Sequence, residues 1–212
     1  MRKGDKTKEK IYEEAFKLFM SRPYELVTVN EIEKVIGKTR GAIFYHVKDK
    51  HELFEKVIDK YFVKSQNIYE SIGEDILEKD VTLLEFIDIY CSAIEKKIND
   101  LYDFAGINKN DRNLIAKADR SYLSLVLNTG FYLDGYNEKM ESNFRTDANT
   151  WGFFIQKAIE RGEIKPNTDV RLFGDLFTSI YLGKAYHGSL SKGMDTKDLK
   201  DLYLEIYNRI KF

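Results

Sequence analysis

Four side chains near the start of the chain, Arg40, Ala42, Tyr45 and His46, have the types and spacing to read nucleic acid. A guanidinium pairs in a bidentate way with guanine O6 and N7, whereas a contact to phosphate fixes position without carrying sequence information. Arg40 is therefore expected at a base edge, with Tyr45 and Lys50 holding phosphates. The four lie on the outer side of one short helix, because Ile43 and Val47 take its inward positions. A small exposed helix carrying Arg, Tyr and His is shaped for a major groove.

The elements that must position these side chains have their own signals. Thr28 is a natural N-cap, and Glu31 three residues on completes a capping-box pattern. Val29, Ile32, Val35 and Ile36 then recur at helical spacing until Gly37, a residue that turns left-handed at no steric cost. Thr39 caps the next helix. Helix, Gly turn and helix together make a helix-turn-helix. Ahead of it, Thr7 is expected to cap a bracing helix with Ile11, Ala15, Leu18 and Phe19 on one face, ending before Pro23. Residues 1–6 have no apolar side chain after Met1 and read as a mobile basic arm, either merely solvated or touching phosphate or the minor groove. After Lys50, the residues Leu53, Val57, Tyr61, Phe62 and Ile68 mark a long helix to about Ser71.

The stretch from Thr28 to Lys50 resembles the DNA-binding segment of the tetracycline-repressor (TetR) family of one-component regulators. Thr28, Ile32, Gly37, Thr39, Gly41, Ile43, Phe44, Tyr45, His46, Lys50 and Leu53 agree with the family pattern in one register. Glu33 stands where a small Ala is usual, Lys38 where a Val usually packs, and Val47 where Phe is usual. The resemblance covers roughly the first quarter of the chain. It implies a DNA-contacting set of Thr28, Lys38, Thr39, Arg40, Ala42, Tyr45, His46 and Lys50, with double-stranded operator DNA as the partner. It also implies a ligand cavity in the remaining helices, with Phe104, Tyr122, Trp151 and Phe154 on the helices around it. In the family the last two helices pair with their symmetry mates into a four-helix interface, so a homodimer is expected; the plain alternative is a hairpin within one chain.

Composition agrees with such a division. The 212 residues are 43% hydrophobic and 33% charged, ordinary for a globular protein. The net charge of −1 divides into +4 for residues 1–50 and −5 for the rest, so the basic part is the helix-turn-helix part. No apolar run approaches the length of a membrane span, and a cytoplasmic protein without membrane contact is expected. Cys91 stands alone, which excludes an internal disulfide. The three histidines are scattered, none of the common catalytic motifs occurs, and no metal, cofactor or enzymatic activity is expected. Of the 29 Phe, Tyr and Trp residues, 22 lie beyond residue 54, enough to build an aromatic core or line a cavity.

Helical periodicity continues to the end of the chain. It predicts a helix through Leu84 and Ile98, a separate short helix within Asn99–Asn110, two long helices over about 111–134 and 137–161, and two more at about 168–190 and from Thr196. The expected fold is all-α: a three-helix head with a helix-turn-helix over 1–50, joined to a helical ligand-binding and dimerisation body over 51–212. The function this suggests is a regulator released from its operator by a small apolar or aromatic molecule. An activator, a DNA-binding protein without ligand, and an all-α carrier or enzyme are the alternatives.

Overall fold

The computed structural model describes residues 3–63 and 68–212, and every element among them is helical apart from one isolated bridge between Ile164 and Lys211. In chain order the α-helices are α1 (Lys3–Ser21), α2 (Val29–Ile36), α3 (Arg40–Phe44), α4 (Lys50–Ile58), α5 (Ile68–Ile72), α6 (Leu83–Ala105), α7 (Arg112–Thr129), α8 (Tyr136–Glu160), α9 (Val170–Leu190) and α10 (Thr196–Ile210). They divide into two compact units: a head of Met1–Lys64 with Arg120–Asn137, and a body of Ser65–Asp119 with Glu138–Phe212. The head thus takes in the second half of α7, which sequence periodicity places no differently from the first.

In the head, α1 starts at Lys3, one turn before the expected cap, so Thr7 lies inside the helix and residues 3–6 are not an arm. Met1 and Arg2 lie outside the described residues. Lys and Glu are good helix formers and Asp5 in the first turn complements the helix dipole, so the helix outruns its apolar stripe. Ile11, Ala15, Leu18 and Phe19 of that stripe, and Phe16 beside it, are buried with Ile32, Ile36, Ile43, Leu53, Phe54 and Val57. Val35, expected on the inner side of α2, is exposed. The helix expected to run unbroken from Lys50 is α-helical only to Ile58 and π-helical over Asp59–Val63. Residues 64–67 lie outside the described part, and α5 follows.

In the body, α6 is a single helix. The separate helix expected within Asn99–Asn110 does not form, because Ile94 and Tyr102 keep the same buried face and the first helix-ending residue is Gly106, left-handed at φ 66°. The start of α6 is doubly held. Thr82 and Glu85 form a capping box, and the Glu163 carboxylate accepts from the backbone N–H groups of Leu83 (3.1 Å) and Leu84 (3.2 Å). Around α6 pack faces of α8, α9 and α10, and their aromatics meet ring on ring. Phe86 stacks on Phe154 at 3.9 Å between centroids and Trp151 on Phe177 at 4.4 Å, with Tyr203 edge-on to Trp151.

Candidate nucleic-acid interface

The capping box that the sequence announces at α2 is formed. Glu31 N donates to Thr28 Oγ1 at 3.2 Å, and Glu31 Oε2 accepts from Thr28 N at 2.9 Å. Arg22 reaches the other oxygen of the same carboxylate at 2.5 Å. These bonds and the neighbouring positive charge hold the Glu31 carboxyl below its usual range. Gly37 ends α2 in the left-handed region, φ 67°, with its N–H on Glu33 O. Thr39 then caps α3 by accepting from Ala42 N at 3.4 Å, and Ile43 anchors α3 in the core.

This scaffold presents the outward set. Lys38, Thr39, Arg40 and Tyr45 are exposed, Tyr45 to 85%, while Ala42 and His46 are half-buried and Thr28 is exposed beside its partners. α3 is shorter than the sequence suggests, so Tyr45 and His46 sit in the turn that closes it, with the two rings edge to face at 5.2 Å. Arg40 lies over the Phe44 ring at 5.8 Å. Lys50 is placed differently from the expectation of a free phosphate ligand. Its ammonium donates to Tyr24 O and Val27 O, each at 3.0 Å, and stands 4.1 Å above the Tyr24 ring. It ties the start of α4 to the segment that precedes α2.

One group was not legible in the sequence. Lys6 and Lys10 on α1 line, together with Lys38, a recess of about 200 Å³ whose other walls are Thr7, Ile11 and Ile36. Three ammonium groups around one recess attract an anion. Lys6 and Lys10 share one side of a helix by their i, i+4 spacing, and they do so here because α1 extends to Lys3, ahead of its apolar stripe.

The four aromatic residues expected around a ligand fall in both compact units. Trp151 and Phe154 are fully buried in the body's stacked core, Phe104 is half-buried near the end of α6, and Tyr122 belongs to the head, where its ring stands 5.0 Å from Phe62. The reason is packing: large rings with complementary faces satisfy one another first. Trp151 Nε1 is nonetheless buried without a hydrogen-bond partner.

The body's polar interior lies close by. The Asp147 carboxylate accepts from Tyr90 Oη at 3.0 Å and Thr178 Oγ1 at 2.8 Å. Burial raises its pKa against the pull of those bonds and of Lys97. Burial likewise brings Lys97 down to about 8, with Asp147 opposing. A second carboxylate, Asp119, accepts from Tyr102 Oη at 2.8 Å and Met194 N at 3.2 Å. Sequence periodicity marks apolar faces and is silent on which charged side chain turns inward, which is why neither group was foreseen.

Residues 11–57 match the family described as bacterial regulatory proteins, tetR family. Within that stretch the chain is similar to the HTH-type transcriptional repressor AcnR of Corynebacterium diphtheriae, 45% identical over 47 residues, which are 22% of this chain and 25% of that protein. The chain thus matches only about a quarter of the length of that curated relative. Over its whole length the fold is that of solved TetR-type regulators. One from Agrobacterium tumefaciens superposes with a TM-score of 0.65 at 18% identity, covering 99% of this chain and 100% of that one. A structure described as a SmeT–triclosan complex gives 0.63 at 17%, covering 97% and 92%.

Proposed function

We propose that the chain, whose residues 11–57 match the tetR family of bacterial regulatory proteins, is a homodimeric, ligand-responsive repressor that holds an operator with its head. The observation that carries this reading is the capped helix-turn-helix, whose exposed side presents Arg40, Thr39 and Tyr45 beside the lysines of the α1 recess. Arg40 reads a base edge, Tyr45 and His46 flank it, and Lys6, Lys10 and Lys38 hold backbone phosphate. Thr28, Thr39, Ala42 and Lys50 build the platform. The segment proposed to meet DNA lies within residues 1–50, and the compact head extends beyond it to Lys64 and takes in Arg120–Asn137.

Dimerisation rests on α9 and α10. Leu172, Leu176, Tyr186 and Leu190 form an exposed apolar stripe along α9, Gly183 on the same stripe leaves open space above its backbone, and Leu202 adds to it from α10. Stripes of this kind on monomers mark an interface. A two-fold axis through it presents two recognition helices to two half-sites.

The effector we propose is a small apolar or aromatic molecule taken by the body. The aromatic wealth of that unit and the triclosan bound to the neighbour SmeT support this class. Among the described residues no helix is long and apolar enough to cross a membrane, and the proposed site of action is the cytoplasm, where the operator lies. The family and the relatives named above are regulators rather than enzymes, and we propose no catalytic role. The test is to select DNA fragments with the purified chain and sequence them. A palindrome with half-sites one helical turn apart, or a multiple of it, is expected; fragments without symmetry or preference would refute the repressor reading.

A further inference from the structure

The head contains a second concavity, lined by residues other than those of the Lys6, Lys10 and Lys38 recess. It has a volume of about 180 Å³ and is formed by the end of α1, the turn through Pro23, Phe54 of α4, and the second half of α7 with the turn after it. One wall is aromatic: the Tyr24 ring stands 4.7 Å from that of Phe54 and 4.8 Å from that of Tyr132. α7 contributes the hydroxyls of Ser121 and Ser124. Arg22 and Arg120 line the cleft and no Asp or Glu does, but Arg22 is paired with Glu31 and the Tyr132 hydroxyl donates to Glu25, so the positive charge offered to a ligand is chiefly that of Arg120.

That combination selects a ligand class. A flat ring gains buried area and ring contacts against Tyr24 and Tyr132, and a carboxylate on it gains charge-assisted, bidentate hydrogen bonds from a guanidinium. A cation would meet the like charge of Arg120. We propose that this cleft is an effector site within the DNA-binding unit, for aromatic carboxylates of about the size of benzoate.

The site is wired to the helix-turn-helix through one side chain. Arg22 in the cleft donates to Glu31, and the other oxygen of Glu31 is the acceptor that caps α2 through Thr28 N and Thr28 Oγ1. A bound carboxylate competes with Glu31 for the Arg22 guanidinium and loosens the start of α2. Occupancy then lowers DNA affinity, a consequence that rests on the reading that the head binds DNA.

Benzoate and its neutral analogue benzamide, titrated into the full chain by calorimetry with acetate as the ionic control, test the site without DNA. Benzoate is expected to bind, with benzamide and the variant Arg120→Ala each weaker by about tenfold or more. Arg120 and Ser124 are exposed, so Arg120→Ala and the cleft-filling Ser124→Trp should keep the helical circular dichroism of the parent. Absence of benzoate binding, or binding undiminished in both variants, overturns the site. In a second arm benzoate should weaken binding of the selected DNA by the parent and leave Arg120→Ala unaffected; equal weakening of both overturns the coupling. A chain that binds benzoate in the cleft yet binds no DNA upholds the site and refutes the regulator reading instead.

Discussion

Lys50 carries two demands on one ammonium. Two of its three donors go to Tyr24 O and Val27 O, so its removal strips a cation from two partly buried carbonyls as well as from any phosphate. Lys50→Ala is expected to cost about 1–3 kcal/mol of stability, read as a lower midpoint in urea, whereas Arg40→Ala should leave the midpoint alone. Arg40→Ala should instead reduce the preference for operator over random DNA by about 1–3 kcal/mol in a competition assay. Equal loss on both DNAs would place Arg40 on phosphate. Lys97 gives a pH signature. The unfolded chain keeps that proton to about 10.5 while the fold releases it near 8, so the unfolded state binds more protons between these values and stability rises with pH across the window. Lys97→Met should flatten the rise by at most about 3 kcal/mol, seen as the difference in unfolding free energy between about pH 7 and about pH 10.

α9 has two faces that residue type does not distinguish. Phe177, the natural choice from the sequence for the middle of an interface, is fully buried, stacks on Trp151 and accepts at its carbonyl from Tyr203 Oη at 2.9 Å. Leu176, one position away, is exposed with Leu172 on the stripe. The two should therefore fail differently. Leu176→Glu is expected to shift the chain to monomer in sedimentation with its helical content retained, since the carboxylate meets water once the partner leaves. Phe177→Glu buries a charge inside one chain at a cost of several kcal/mol and should unfold the body. A Leu176→Glu protein that stays dimeric would move the interface elsewhere. The same distinction governs α6, where a continuous buried face through Tyr102 overrides the polar composition of Asn99–Asp103 and keeps the helix whole.

Over the whole molecule, regulation requires that effector and operator favour different arrangements of one chain. Reciprocity then fixes a measurable outcome: saturating operator must weaken effector binding by the factor by which effector weakens operator binding, typically about 5–150-fold. Anisotropy of labelled operator and calorimetry of the effector, each with and without the other, should return the same factor. Effector affinity that is indifferent to operator would end the induction reading.

What the sequence determined by itself was local. Caps, the left-handed glycines and the i, i+4 stripes act within a few residues, and so Thr28, Glu31, Gly37 and Thr39 announced the helix-turn-helix that the structure forms. Arg40 and Tyr45 were legible as outward residues because Ile43 and Val47 had to face in. The tertiary structure alone decided matters between distant parts of the chain. It placed the second half of α7 with the head, set Asp147 against Tyr90 and Thr178, tied Lys50 to Tyr24, and used Trp151 and Phe154 as core. Periodicity reports that a face is apolar but not what covers it, and a buried charge is stabilised by partners far away in sequence, which no local pattern encodes.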